Sequence, residues 1–281
     1  MPEPATRPLP FPRKELLLRT ASGVVLAAVT LTMTWAGPLT FALLVGAVAV
    51  ILLWEWGHLT SGVGFTPARL LAGGAVLSAL ALTVAGRPGL GLAIVAAGAA
   101  AAALDPGRRS RTMEMAGALY AGVPAISLVW LRSDPGHGLE GIVLLLLIVW
   151  ATDTGAFLAG RSIGGPRLWA RVSPNKTWSG LIGGVCAASL VAWSYVASLG
   201  GDAGPRIVAL AAVLALVSQM GDLLESSLKR AYGAKDASRL IPGHGGFMDR
   251  VDGLVFAAVA AAAFAAAVGS DRPAGALLGL G

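Results

Sequence analysis

The sequence predicts an all-α fold, a polytopic helical bundle with about nine transmembrane helices in a single membrane domain. Of the 281 residues, 56% are hydrophobic, and the mean hydropathy is +0.73. Apolar stretches of about 17 to 25 residues recur, the length that a helix needs to cross a bilayer. The 38 glycines and the alanine-rich runs would let such helices approach closely.

Nine segments have this character, with a polar, proline-rich head before them. The predicted spans are 20–35, 38–56, 70–86, 89–104, 115–131, 141–158, 178–199, 207–224 and 251–268. We expect a disordered head at 1–18, N-terminal helices at 19–140, and C-terminal helices carrying the polar motifs at 141–281. A cleaved signal peptide is the alternative for the first apolar run, but no small-residue cleavage site follows it.

The basic residues are distributed unevenly between the two sides of this bundle. If the nine spans alternate, all but four of the 21 Lys and Arg residues lie on the side of the N-terminus. The exceptions are Arg87, Arg132, Arg206 and Arg272. Basic loops stay in the cytoplasm, so we expect the N-terminus and the two long charged loops, 160–177 and 226–250, there. The net charge of +6 is therefore interpreted as membrane topology, and no nucleic-acid partner is expected.

The densest polar stretch, 226–252, lies between the last two spans. Asp249 and Asp252 are three residues apart, which places both carboxylates on one helix face. Asp222 lies near the end of the preceding span, so the three acids could meet at one depth. Carboxylates beside many cations favour a Mg²⁺ site that acts on phosphates. The alternative is that Asp249 and Asp252 only cap a helix and pair with Arg250.

Cations and glycines in the same stretch suit a phosphate ligand. Lys229, Arg230, Lys235 and Arg239 could neutralise a triphosphate, although a positive-inside bias would also explain them. The run 242–246 reads PGHGG, whose backbone N–H groups could approach phosphate oxygens, with His244 as a further donor. No Walker A motif is present, which excludes a P-loop enzyme.

Other polar residues stand apart from this stretch. The loop 173–178, SPNKTW, could place Lys176 at a phosphate near a helix N-terminus, but its spacing favours simple helix capping. Asp153 lies within the sixth span, and an acid in a membrane helix indicates a functional site. Glu55 lies near the inner end of the second span, where snorkelling to the interface would explain it.

Together these motifs resemble the signature of the phosphatidate cytidylyltransferase (CDP-diacylglycerol synthase) family. The match combines SSLKR at 226–230, KD at 235–236, PGHGG at 242–246 and DRVD at 249–252. Accompanying motifs are TDTGAF at 152–157, SPNKT at 173–177 and GDL at 221–223. The likeness covers roughly residues 150–253. The family commonly has Lys where this chain has Asn175, which removes one cation from that loop.

The resemblance implies a membrane enzyme that condenses CTP with phosphatidic acid to give CDP-diacylglycerol and pyrophosphate. It implies Mg²⁺ on Asp222, Asp249 and Asp252, room for a second metal ion, monovalent or divalent, and a homodimer in the cytoplasmic membrane. The catalytic residues would be Asp222, Asp249, Asp252, Lys229 and Lys235. The substrate-binding residues would be Asp153, Ser173, Lys176, Thr177, Ser226, Arg230, Asp236, His244, Gly245, Gly246 and Arg250.

Two other functions compete with this expectation. One is a related CTP-dependent membrane enzyme acting on a polyprenol or phytol. The other, from a different class, is an ion or proton transporter that uses Asp153, Asp222, Asp249 and Asp252. Transporters place their acids near the middle of the bilayer, whereas most of these lie at its predicted cytoplasmic edge.

Overall fold

The computed structural model describes residues 13–104, 111–241, 245–269 and 271–280. Ten helices run through this part of the chain. They are α1 Arg13–Trp35, α2 Pro38–Ser61, α3 Pro67–Val84, α4 Pro88–Ala103, α5 Arg111–Arg132, α6 Gly138–Ile163, α7 Trp178–Ser198, α8 Pro205–Ala231, α9 Met248–Val268 and α10 Pro273–Leu278. The all-α prediction is confirmed.

The nine predicted spans fall on α1 to α9, one on each helix. Within the described residues, seven helices are long and apolar enough to cross a membrane: α2, α3, α5, α6, α7, α8 and α9. The apolar part of α1, Thr20–Trp35, and α4 are shorter. The chain is therefore an integral membrane protein, and the count of nine spans stays a prediction. Of the predicted head, residues 1–12 lie outside the described residues, and α1 begins at Arg13.

Proline and glycine set many of the helix ends. Proline occupies the first turn of α2, α3, α4, α8 and α10, where its missing N–H breaks no helical hydrogen bond. Gly62 and Gly269 end α2 and α9 in the left-handed conformation, with φ of 75° and 70°. The short connections are thus encoded in the residues next to each apolar run.

Small residues allow α6 and α7 to pack with their backbones close together. A Cβ added to Gly183 would lie 2.2 Å from the Ala159 side chain, and one on Gly184 would lie 2.7 Å from the Thr152 carbonyl oxygen. This close contact is the role that small residues play between membrane helices. It anchors α6, which carries Asp153.

A buried ion pair holds the N-terminal helices together. The Arg69 guanidinium on α3 donates to both oxygens of Glu114 on α5, over 2.9 and 2.5 Å, and it also donates to the Gly64 carbonyl over 3.0 Å. Arg69, which the charge distribution placed among the loop cations, is therefore a structural residue of the bundle.

Three features of the fold were not predicted from the sequence. Strands β1 (Arg167–Trp169) and β2 (Ser173–Thr177) form an antiparallel hairpin in the loop before α7. Helix α8 continues to Ala231, beyond the predicted end at 224, because the apolar run that predicted the span ends before the helix does. The buried helix α10 follows the last span and is too short to give a hydropathy signal.

Candidate active site

The last turns of α8 present a charged face. Asp222, Glu225, Ser226 and Lys229 are spaced at i, i+3, i+4 and i+7, which places them on one side of the helix. The first two turns of α9 bring Asp249 and Asp252 to the same end of the bundle. The three predicted metal-binding acids therefore lie in one region, as expected from the sequence.

Lys229 is the buried centre of this face. Its ammonium lies 2.6 Å from the Glu225 carboxylate and also donates to Asp249 Oδ1. Glu225 and Lys229 are both nearly inaccessible, with 2% and 8% of their surface exposed. A buried ammonium is stable only when such partners surround it, so this lysine ties α8 to the start of α9.

Asp249 organises the loop between the two helices. While its Oδ1 accepts from Lys229, its Oδ2 accepts from the backbone N–H groups of Ala237 at 3.0 Å and Gly246 at 2.9 Å. The alternative that Asp249 pairs with Arg250 gains no support from these contacts. Both Asp249 oxygens instead hold the cation of α8 and the backbone of the preceding loop in place.

Glu55, at the inner end of α2, caps the same loop and helix. Its Oε1 accepts from the Ser238 hydroxyl at 2.5 Å and the Phe247 N–H at 2.9 Å, and its Oε2 accepts from the Met248 N–H at 2.6 Å. Glu55 is 0% exposed. The interpretation that it snorkels to the interface is therefore wrong. A carboxylate at a helix N-terminus is favourable because it meets unpaired N–H groups.

At both described glycines of the PGHGG run, a side chain would cause strain or a steric clash. Gly245 has a φ of +89° and forms two backbone hydrogen bonds with Ile241, which close the loop. A Cβ on Gly246 would lie 2.5 Å from Glu55 Oε1. Pro242, Gly243 and the predicted ligand His244 lie outside the described residues.

The hairpin reaches the cluster through Lys176. The ammonium of this β2 residue lies 2.6 Å from Asp222 Oδ2, and Ser226 donates to Asp222 Oδ1 over 3.3 Å. The neighbouring Thr177 caps α7 by accepting from the Gly180 N–H at 3.1 Å. The loop thus has both kinds of contact that the sequence suggested. Thr177 caps the helix, and Lys176 contacts a carboxylate of the cluster. Ser173 pairs with Trp169 across the hairpin.

Further acids surround Asp252. Its Oδ1 accepts from the Gly253 N–H at 2.7 Å, and its carboxylate experiences the negative charges of Asp222, Glu225 and Asp153. Asp153 on α6 accepts from the Gln219 amide at 3.2 Å. This end of the bundle therefore concentrates acids around the two lysines that contact them, which favours the binding of additional cations.

The remaining predicted site residues, one catalytic and three substrate-binding, have exposed side chains. Arg230, Lys235, Asp236 and Arg250 are all exposed, and Arg230 donates to the Ala234 carbonyl over 3.1 Å. They lie on the last turn of α8, on the loop that follows it, and on the first turn of α9. The exposed cations leave their charge available to an anionic ligand.

The donor chemistry of the cluster suits Mg²⁺, which prefers a few carboxylate oxygens together with water and substrate oxygens. Across the ranges that the structure describes, no group of three or more His, Cys, Asp or Glu side chains has the spacing of a metal centre. Asp249 is held by Lys229 and two backbone donors. The ligand set Asp222, Asp249 and Asp252 therefore stays a prediction.

Sequence reasoning gave no site role to several residues of this region. Glu225 could have been found from its i,i+4 spacing to Lys229, and Glu55 from its charge in an apolar helix. Tyr120 on α5 gave no signal. Its ring packs against Trp56 with the centroids 5.2 Å apart, and its buried hydroxyl has no hydrogen-bond partner among the described residues.

Membrane-length helices with a buried charged cluster at one end of the bundle define an integral membrane protein with a polar site between its helices. The sequence model of the Cytidylyltransferase family matches residues 17–268, and the chain belongs to this family. The match confirms the resemblance found in the motifs, and it extends over the N-terminal helices that carry none of them.

Individual relatives agree with the family match. A phosphatidate cytidylyltransferase from Brucella suis biovar 1 (strain 1330) is 42% identical over 247 residues, which cover 86% of this chain and 90% of the relative. One from Haemophilus influenzae is 33% identical over 268 residues, covering 83% and 92%. One from Staphylococcus aureus (strain COL) is 40% identical over 138 residues, about half of each chain.

Proposed function

We propose that the protein transfers a cytidylyl group from CTP to phosphatidic acid, which gives CDP-diacylglycerol and pyrophosphate. A lipid phosphate oxygen forms a bond to the α-phosphorus of CTP, while the bond from that phosphorus to the bridging oxygen of the β-phosphate breaks. The observation that carries the proposal is the charged cluster of α8 and α9, in a chain whose relatives named phosphatidate cytidylyltransferase match over most of its length.

The chemistry needs charge neutralisation more than proton abstraction. The lipid phosphate is already an anionic nucleophile, so the main obstacle is repulsion between the two phosphates. Asp222, Asp249 and Asp252 would hold Mg²⁺, which would supply positive charge to neutralise the phosphates. A second metal ion, monovalent or divalent, belongs to the same proposal.

The burial of each residue indicates whether it contacts the substrate or positions another residue. Exposed Arg230, Lys235 and Arg250 suit the triphosphate and the leaving pyrophosphate. Lys229 is buried between Glu225 and Asp249, so we assign it to positioning Asp249 and the loop. Lys176 lies at Asp222 and would contact the substrate phosphate that approaches this acid.

The proposed location is the cytoplasmic membrane, with the N-terminus and the active site towards the cytoplasm, where CTP is found. The uneven distribution of Lys and Arg supports this orientation. A homodimer is proposed from the family resemblance alone.

The test is a product assay with purified protein in phospholipid vesicles. Radiolabelled CTP is offered with phosphatidic acid or with a polyprenol, with and without Mg²⁺. We expect Mg²⁺-dependent CDP-diacylglycerol and an equal amount of pyrophosphate only with phosphatidic acid. Transfer to the polyprenol alone, or ion flux into the vesicles without CTP turnover, would overturn the proposal.

A further inference from the structure

Tyr120 on α5 carries a buried polar group that the proposed reaction leaves unused. Its hydroxyl oxygen is buried, and none of the described residues forms a hydrogen bond with it. A buried hydroxyl without a partner is destabilising, so each one in a native structure calls for an explanation. A phenylalanine would fill the same space without this cost. The hydroxyl therefore indicates a role other than packing.

Two aromatic residues hold the Tyr120 ring in place. Trp56 of α2 packs against it with the ring planes at 36°, and Phe256 of α9 meets it edge to face with the centroids 6.3 Å apart. Aromatic pairs are favourable at such separations. Because the ring is held from two sides, the position of its hydroxyl is fixed by α2 and α9.

The direction of α5 turns this hydroxyl towards the charged cluster. The indole N–H of Trp56 donates to the Met113 carbonyl near the start of α5, over 2.8 Å. The neighbour of Trp56 in the chain, Glu55, caps the start of α9. The N-terminus of α5 thus lies at the end of the bundle that holds the cluster. Side chains of a helix lean towards its N-terminus, so Tyr120 leans towards that end.

Asp252 is the acid that this hydroxyl approaches. Phe256, which contacts the Tyr120 ring, follows Asp252 by about one turn on the same face of α9. Of the acids whose charges Tyr120 experiences, Asp252 has the largest effect, ahead of Glu225 and Glu55. A phenol hydroxyl can donate a hydrogen bond that a carboxylate accepts. Polar groups too far apart for direct contact are commonly joined by a water molecule.

We propose that Tyr120 is a positioning residue for the Mg²⁺ site, with its hydroxyl donating through one water molecule to the Asp252 carboxylate. The inference rests on the proposed function, in which Asp252 is a metal ligand. Removing a group that holds a metal ligand in place typically weakens metal binding about 10- to 100-fold. A helix of the N-terminal half would thus help to set the metal affinity of acids on α8 and α9.

The first experiment measures metal binding without turnover. Mn²⁺, which prefers the same oxygen ligands as Mg²⁺, is titrated into purified protein in detergent, and free Mn²⁺ is followed by electron paramagnetic resonance. We expect Tyr120→Phe to weaken Mn²⁺ binding about tenfold, because it keeps the ring and loses the donor. Tyr195→Phe, at a half-buried tyrosine near Glu140, is the control and should match the wild type. Equal Mn²⁺ affinities of folded Tyr120→Phe and wild type would overturn the inference.

A second experiment separates the donor from the ring. Replacing Tyr120 with 4-aminophenylalanine, by suppression of an amber codon, keeps an N–H donor at the same place. We expect this replacement to restore most of the Mn²⁺ affinity that Tyr120→Phe loses, and an affinity as low as that of Tyr120→Phe would contradict the proposed donor.

Thermal unfolding without metal tests the alternative of a purely structural hydroxyl. We expect the same unfolding temperature for wild type and Tyr120→Phe, because the hydroxyl has no hydrogen-bond partner among the described residues. A lower unfolding temperature of Tyr120→Phe, together with wild-type Mn²⁺ affinity, would show that the hydroxyl only stabilises the fold and would overturn the inference.

The inference and the proposed function fail in different ways. Weakened Mn²⁺ binding in Tyr120→Phe, with no CDP-lipid made by the wild type, would refute the function and support the positioning role. CDP-lipid synthesis by both proteins, with the same half-maximal Mg²⁺ concentration and the same Mn²⁺ affinity, would refute the positioning role and leave the function intact.

Discussion

Buried carboxylates occur at both ends of this helical bundle, but the two ends balance their charge differently. Asp134, in the α5–α6 connection, accepts from the N–H groups of Gly136 and His137 at 2.8 and 3.1 Å, and from Ala274 and Gly275 at 2.9 and 3.0 Å. One acid thus accepts from four backbone donors. Two of these donors fix the start of α10.

The α8–α9 end instead gathers many acids around few cations. Glu55 and Asp249 are held by backbone donors, as Asp134 is. Asp153, Asp222 and Asp252, however, experience one another's negative charges. Concentrating like charges at a membrane helix end is costly. A carboxylate whose hydrogen bonds are satisfied therefore indicates a structural role, whereas an accumulation of mutually repelling carboxylates indicates a site for a cationic or metal-bridged ligand.

Substituting Asp222 should have the largest effect on the difference between the two ends. Asp222→Asn keeps the size of the side chain but removes a charge from the cluster, and we expect kcat to fall about 10³-fold, because charge stabilisation is the main catalytic requirement. CDP-diacylglycerol formation measures the effect. Asp271→Asn, at an exposed position outside both clusters, is the control. Near-wild-type turnover by Asp222→Asn would defeat its assignment as a metal ligand.

The loop before α9 should be the next most sensitive element. In Gly246→Ala, the new Cβ would lie 2.5 Å from Glu55 Oε1, so the loop or the cap must shift, and we expect kcat/KM for CTP to fall about 10²-fold. Gly74→Ala meets no atom within 4 Å and should behave as the wild type. Equal kinetics for the two variants would show that the Glu55 cap does not set the geometry of the site.

Substituting Lys176 should have a smaller effect, on substrate binding. Removing its contact with Asp222 in Lys176→Ala should raise the KM of CTP or phosphatidic acid about tenfold, by loss of one charge-assisted contact. Arg171→Ala, at an exposed position in the same hairpin connection, serves as the control. If KM and kcat both stay unchanged in steady-state assays, the hairpin has only the helix-capping role seen for Thr177.

A substitution at Asp134 should lower the stability of the protein without changing its catalytic rate. Asp134→Asn leaves backbone donors with a poorer acceptor, at a cost of about 1 to 3 kcal/mol, while turnover per folded molecule should match the wild type. Thermal unfolding in detergent, followed by helical circular dichroism, measures the loss. A large fall in kcat without a change in stability would show that the two ends are not separate.

The carboxylate of Asp134 should also make the stability of the protein depend on pH, in a direction that its pKa determines. Although burial favours the neutral acid, hydrogen bonds from Gly275, His137, Gly136 and Ala274 hold the pKa of Asp134 below its ordinary value of 3.8. Its contribution is therefore present above pH 3.8 and is lost as the pH falls through the lower folded-state pKa. The stability difference between wild type and Asp134→Asn should shrink over that acid range, and a difference that grew there would contradict the assignment.

Much of this architecture could be predicted from residue patterns, because apolar length and proline positions determine where membrane-length helices begin and end. The convergence of Asp222, Asp249 and Asp252 at one end also followed from their positions at helix ends. The cap by Glu55 could not be predicted, since it depends on α2 meeting α9 across 192 residues of sequence. The contact of Lys229 with Asp249 could not be predicted for a related reason, because it depends on how the loop between α8 and α9 folds.

The most direct test of the central claim measures transfer of label from [α-³²P]CTP to phosphatidic acid in sealed vesicles that contain the purified protein. We expect Mg²⁺-dependent labelling of the lipid by the wild type and by Asp134→Asn, and loss of this labelling in Asp222→Asn. Equal labelling by folded Asp222→Asn and wild type, or no labelling by folded wild type with Mg²⁺ present, would contradict it.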